Sequence, residues 1–335
     1  MRPPLVVTNA LAMLVALGAL AGAARELGAQ QGLFAFVSNE GSRDISVIST
    51  TDHRVVAAIP VGERPRGIRV SPDGKRAYVA LSDDRPNARG GGDAIVVIDV
   101  PTRRVVARHG AGTDPEQFVV TPDGRRLYAA NEDAGLATAI DLATGRVIAE
   151  LTVGIEPEGV AVSPDGRWVY VTAETSNTVS VIDTRANQVV ANILVDVRPR
   201  AAAFAPDGAR AYVTAEIGGT LTVVDVRRHE VLDVIPLGGE DPKPVGVVVS
   251  PDSRWVYVAL GAADAVAVVD ARAGRVVATI PVGRRPWGLA LTGDGRRLYT
   301  ANGVSGDVSV IDTDARRVIA TVKVGDRPWG VALTR

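Results

Sequence analysis

One motif recurs seven times along this chain of 335 residues, and it leaves few folds open. Each copy centres on an aromatic residue in a short apolar strand, at Phe36, Tyr78, Tyr128, Tyr170, Tyr212, Tyr257 and Tyr299. In six copies the next strand ends 13 residues later, as in TAID at Asp141 and VSVID at Asp183 and Asp312. In the remaining copy, Tyr78 to Asp99, the distance is 21. A further apolar strand follows (VVAAIP, VVATIPV), then a turn rich in Gly and Pro, then a last strand such as GIRV, GVAV or GLAL. Four short strands with a period of 42 are the signature of a propeller blade, a unit that must stack on its neighbours to bury both faces. The expectation is an all-β, seven-bladed β-propeller with four antiparallel strands per blade.

The punctuation agrees. Pro72-Asp73-Gly74, Pro122-Asp123-Gly124, Pro164-Asp165-Gly166 and Pro206-Asp207-Gly208 supply a fixed φ, a self-capping side chain and a positive φ in the order that a tight turn needs. The Asp that closes a VID strand, as at Asp99, Asp183 and Asp312, reads as the cap of the following turn. The first blade begins without an innermost strand, whereas the chain ends in a lone one, Gly330-Val331-Ala332-Leu333-Thr334. The C-terminal strand is therefore expected to complete blade one, which removes two open sheet edges at once.

Residues 1–29 read as a signal peptide and 30–335 as a single domain. Arg2 is the only charge before Arg25, an apolar run spans Ala10 to Ala24, and small residues at Ala19, Ala21, Ala23 and Ala24 offer cleavage sites. A retained anchor is the other reading, since Pro3 to Ala24 is uncharged for 22 residues. Either way the domain is expected outside the cytoplasm, in the periplasm or secreted, with no stable membrane span once the signal is cleaved. The 37 basic and 38 acidic residues give a net charge of −1, which argues against a nucleic-acid partner. With no cysteine, disulfides, thiolate metal sites, Cys nucleophiles and a lipid anchor are all excluded.

Insertions have an address in such a ring. The loops between blades and those joining the second and third strands of a blade share one face, here called the top. The insertion within Ser82–Asp93 and the longer loop Gly238–Pro244 both fall there, so the top is the expected working face. Just before each innermost strand, from blade one round, stand Trp329, Arg66, Glu116, Glu158, Arg200, Val245 and Trp287. Two residues earlier, before the Pro, stand Arg327, Arg64, Asp114, Glu156, Arg198, Lys243 and Arg285. Blades three and four are acidic at both positions. Glu40, Glu132, Glu174 and Glu216 add carboxylates after the aromatic strands of blades one, three, four and five. This split rim is compatible with solvated ion pairs, with a funnel for a small ligand, or with a docking face for a partner protein. In the funnel reading Arg66 and Arg200 hold carboxylates or a quinone oxygen and Trp287 and Trp329 offer stacking faces. A cation held among Glu116, Glu158, Glu132 and Glu174 fits the same reading.

No catalytic constellation stands out. His53 and His229 fall in equivalent bottom turns and His109 within the outermost strand of blade two, away from the channel mouth. No serine lies in G-x-S-x-G or S-x-x-K, and Gly90–Gly92 is not a phosphate loop.

The strands FVSN, YAAN, YVTA and YTAN, followed by VSVID and IPVG-x-x-P, resemble the YVTN-repeat β-propellers of prokaryotes. Segments such as DPEQFVVTPDG, VGIEPEGVAVSPDG, AEIGGTL and RPWGVAL are similar to the branch associated with pyrroloquinoline quinone (PQQ)-dependent alcohol catabolism. That resemblance implies a non-catalytic periplasmic binding or scaffold protein, partnered with a quinoprotein dehydrogenase or a transport component; the cofactor is left open, with PQQ from the resemblance and a divalent or trivalent cation from the rim carboxylates as the candidates. The alternative is a metal-dependent propeller enzyme of lactonase or lyase type, or a cell-envelope interaction protein. The rim residues proposed to carry binding are Arg66, Glu116, Glu158, Arg200, Trp287 and Trp329.

Overall fold

The computed structural model describes residues 33–83 and 92–334. The segment 1–29 read as a signal, and most of the insertion within Ser82–Asp93, lie outside the described residues. Twenty-eight strands, from β1 (Phe34–Asn39) through β2 (Asp44–Ser49) and β3 (Val55–Pro60) to β28 (Pro328–Leu333), form seven four-stranded antiparallel sheets. Among the described residues no α-helix occurs, and none of them forms a helix long and apolar enough to cross a membrane.

Blade one has the order β28-β1-β2-β3, so the C-terminal strand closes the ring as expected. Its register sets Val37 against Val331 and Phe36 against Ala332, and Thr334 clasps Phe34 through both its amide and its hydroxyl. Period-2 alternation does not govern the middle strands, because both faces of a blade are covered by neighbours; VYVT and VSVI are buried continuously. Only the outer strands alternate, as in Gln188–Leu194, where the sheet reaches solvent. The core is accordingly a set of clusters between blades, such as Phe36, Ile45, Ile68, Val79 and Ile98 between blades one and two.

The turns carry the predicted chemistry. Asp73 accepts the Ser71 hydroxyl at 2.6 Å and the Lys75 amide at 3.0 Å, while Gly74 sits at φ 71°. Asp99 accepts the Thr102 amide at 2.9 Å and Asp312 that of Ala315 at 2.9 Å. The bottom turns also latch neighbouring blades. Tyr128 donates to Asn187 at 2.6 Å, and Tyr170 meets His229 Nδ1 at 2.8 Å. Asn187 and His229 occupy the same left-handed turn position, as does His53 beside Tyr299. The two turn histidines are thus spacers between blades on the face opposite the channel mouth.

Candidate functional site on the top face

At each blade the chain climbs to the top, makes a turn and descends as the innermost strand; the rim residues, expected just before that strand, are its second residues, following the Pro that opens it, and stand at the channel mouth. Close approach of adjacent inner strands fixes these residues. A Cβ on Gly288 would lie 2.7 Å from the Trp329 carbonyl oxygen, and one on Gly330 2.8 Å from that of Arg66. Glycine at these positions lets the next blade's rim residue press inward.

All six predicted rim residues meet there. Arg66 pairs with Glu116, and Arg200 with Glu158 at 3.2 Å. The network extends to the Glu residues after the second strands. Glu40 receives Arg64 at 3.4 Å and Arg66 at 3.5 Å; Glu174 receives Arg198 at 2.7 Å and also Arg200; Glu216 takes Arg198 and Arg285, each at 3.3 Å. Trp287 and Trp329 stack on each other with centroids 6.3 Å apart and planes 18° apart. Arg200 and Arg285 lie over Trp287 at 5.4 and 4.6 Å, and Arg66 over Trp329 at 6.0 Å. The tryptophans therefore brace the guanidinium groups as well as lining the mouth.

Burial makes this network chemically unusual. Glu116 and Glu158 are 0% and 3% exposed. Burial pushes the Glu158 carboxyl up to about 7, with Arg200 opposing and Glu174 adding to the rise. Burial and the nearby Glu116 and Glu158 raise Glu132 to about 8. Burial and Glu116 raise Asp114 to about 6. Glu116 is raised as well, by burial first, although Arg66 works against it. Burial pulls the Arg66 and Arg200 guanidinium groups down, but the surrounding carboxylates outweigh it and hold both well above the ordinary value.

Beneath the rim lies a cavity of about 60 Å³, lined among others by Glu158, Arg200, Trp287, Trp329 and Arg69. Arg69 was not singled out from the sequence. Its guanidinium donates to the Ile68 carbonyl at 2.8 Å and to Gln117 at 3.2 Å, and burial pulls it down to about 10. No carboxylate lies within ion-pair distance of it among the described residues. The available signal was one charge in an inner strand, GIRV, where other blades have GVAV or GLAL. The sequence grouped Glu116 and Glu132 with Glu158 and Glu174 as holders of a cation and noted Asp114 only as a rim charge; the structure instead brings Asp114, Glu116 and Glu132 within 4.8 Å of one another, while Glu158 and Glu174 pair with Arg200.

Comparisons with known proteins bear on the class. A model of the lactonase family, described as a 7-bladed beta-propeller, matches residues 196–322, and a model of the cytochrome D1 heme domain matches residues 93–199. No curated protein matches. Among solved structures, a candidate 6-phosphogluconolactonase of Bacteroides fragilis is similar with a TM-score of 0.78 at 16% identity, covering 91% of this chain and 99% of that one. A counterpart from Bacteroides uniformis gives 0.76 at 18% identity over 91% and 100%. The hydrazine synthase of Kuenenia stuttgartiensis gives 0.74 at 21% identity over 83% and 92%.

At these identities the structures establish the seven-bladed propeller itself. The family match points further. The expectation of a non-catalytic scaffold beside PQQ-dependent oxidation is corrected by it, and so is the expectation that the protein is not an enzyme. The match over residues 196–322 is to a lactonase family, which agrees with the alternative stated from the sequence. The non-catalytic expectation rested on the resemblance to the PQQ-associated branch and on the absence of His and Ser motifs, whereas the rim carries its titratable chemistry on carboxylates and guanidinium groups.

Proposed function

We propose that the protein is a hydrolase of the lactonase type, opening a cyclic ester at the top-face channel mouth. The observation that carries this is Glu158, a buried carboxyl held near neutrality, 3.2 Å from the Arg200 guanidinium and facing the channel cavity. A carboxylate with a pKa near the working pH is suited to general-base catalysis. Glu158 takes a proton from water as the water oxygen adds to the ester carbonyl carbon. Arg200 supplies positive charge where the carbonyl oxygen becomes an anion. The ring C–O bond then breaks, and Glu158 returns the proton to the departing ring oxygen, so that one water is consumed and a hydroxy acid is formed. Arg69, which has no carboxylate partner among the described residues, is placed to receive the new carboxylate.

The lactonase match over residues 196–322 supports this reading, since that span carries Arg198, Arg200, Glu216, Arg285 and Trp287. The apolar run Ala10–Ala24 supports a place of action in the periplasm or outside the cell. The test is a panel of γ- and δ-lactones followed by proton release at constant pH. Turnover of a lactone above the uncatalysed rate is expected. A panel without turnover, with a cofactor-dependent redox activity in its place, would overturn the reading.

A further inference from the structure

We propose that Asp114, Glu116 and Glu132 form a site for one hard divalent cation of the Ca²⁺ or Mn²⁺ class. This deepens the reading of the channel mouth as a catalytic site, but its geometry stands by itself. Around the rim, three of the four Glu residues that follow a second strand are answered by arginines: Glu40 by Arg64 and Arg66 and Glu174 by Arg198 and Arg200, all from the next blade, and Glu216 by Arg198 of its own blade and Arg285 of blade seven. Glu132 occupies the same register in blade three. Blade four, however, brings Glu156 and Glu158 to the positions where the arginines would stand. Among the described residues no Lys or Arg lies within ion-pair distance of Glu132.

Blade three then deepens the deficit. It carries Asp114 and Glu116 where blades two and five carry Arg64 with Arg66 and Arg198 with Arg200. Oxygens of all three carboxylates lie within 4.8 Å of one another. Glu116 is fully buried, its Oε1 accepts no hydrogen bond, and Asp114 Oδ1 accepts none either. Arg66 reaches only the other Glu116 oxygen and Arg64 stands 3.9 Å from Asp114, and both are shared with Glu40. Buried carboxylate oxygens so close together repel unless a proton or a cation stands between them, and a cation displaces the proton. Ligands at about 2.3–2.6 Å from one ion lie within roughly 5 Å of each other, which matches the cluster. An all-oxygen donor set without His or Cys selects a hard cation, with water or a substrate oxygen completing its shell. Glu132 is presented on a single 3-10 turn, Glu132–Ala134, that no other blade has among the described residues.

The experiment is calorimetric titration of the EDTA-treated, full-length protein with CaCl₂ and, separately, MnCl₂, with thermal melts in parallel. One equivalent of saturable binding is expected for at least one metal, together with a raised melting temperature. The double variant Asp114→Asn, Glu132→Gln should lose binding by about 100-fold or more while melting no lower than the metal-free wild type, because the repulsion has been removed. Glu216→Gln, at the same register in blade five, should bind as the wild type does. No saturable binding of either metal up to about 10 mM, above the roughly 10⁻³ M of weak Ca²⁺ sites, would overturn the proposal. So would binding that survives the double variant. Lactone turnover is read separately: turnover without metal binding sinks only this site, and metal binding without turnover sinks only the hydrolase reading.

Discussion

Removing residues 330–335 should leave the propeller close to its limit of stability, since this segment is most of the inner strand that closes blade one. Val331 and Ala332 are buried at 4% and 7% exposure against Val37 and Phe36, and Leu333 is half-buried. Their burial is worth about 4 kcal/mol at the usual value for apolar area. The ladder to β1, the Gly330 amide bond to Ser38 and the two bonds between Thr334 and Phe34 add about 1 kcal/mol for each bond lost. The sum, roughly 7–10 kcal/mol, compares with 5–15 kcal/mol for a typical native protein. At about 2 °C per kcal/mol for a chain of this size, the melting temperature should fall by at least about 10 °C. Circular dichroism of the truncated protein against the full chain measures it. A melt within about 3 °C of the full chain would refute the closure energetics.

Three further outcomes follow from the same geometry. Gly288→Ala places a methyl group 2.7 Å from the Trp329 carbonyl oxygen; it should destabilise by about 1–3 kcal/mol and alter the near-UV signal of the stacked Trp287 and Trp329, whereas an unchanged spectrum would contradict the close approach. The carboxyls of Asp114, Glu158 and Glu132 are raised to about 6, 7 and 8, so the folded state binds protons that the unfolded chain has released, and the metal-free protein should lose stability as pH rises from about 5 to 8.5. Melts across that range check the sign, and a rising melting temperature would contradict it. Arg200→Ala removes positive charge from beside Glu158 and should lower lactone turnover about 10²–10³-fold, read as the rate per folded protein; an unaffected rate would remove Arg200 from the mechanism.

The blade plan was legible because it is local. Pro-Asp-Gly turns, VID caps and a fixed period each act within a few residues, and Gly330–Thr334 had no partner except the open edge at Phe34. Rim positions followed from register, and Arg66, Glu116, Glu158, Arg200, Trp287 and Trp329 do converge. Their pairing did not follow, because it depends on how far neighbouring blades lean together. Arg198 bridges Glu174 and Glu216 across a blade boundary, and Arg285 reaches back 69 residues to Glu216. The isolation of Glu132 was implicit in the sequence, where Glu156 and Glu158 replace two arginines, but the three-carboxylate cluster needed Asp114 placed beside it. Arg69 was not legible as a site residue, because a single charge in the inner strand GIRV does not tell that its side chain lines the channel cavity.

The most direct test of the account is the rate of ring opening by Glu158→Gln, measured on a lactone that the wild-type protein turns over. The substitution keeps shape and removes the proton acceptor, so the rate should fall by about 10²–10⁴-fold with the melting temperature held or raised. A variant that hydrolyses as fast as the wild type would show that the buried carboxyl beside Arg200 is not the base, and the account of the channel mouth would fail with it.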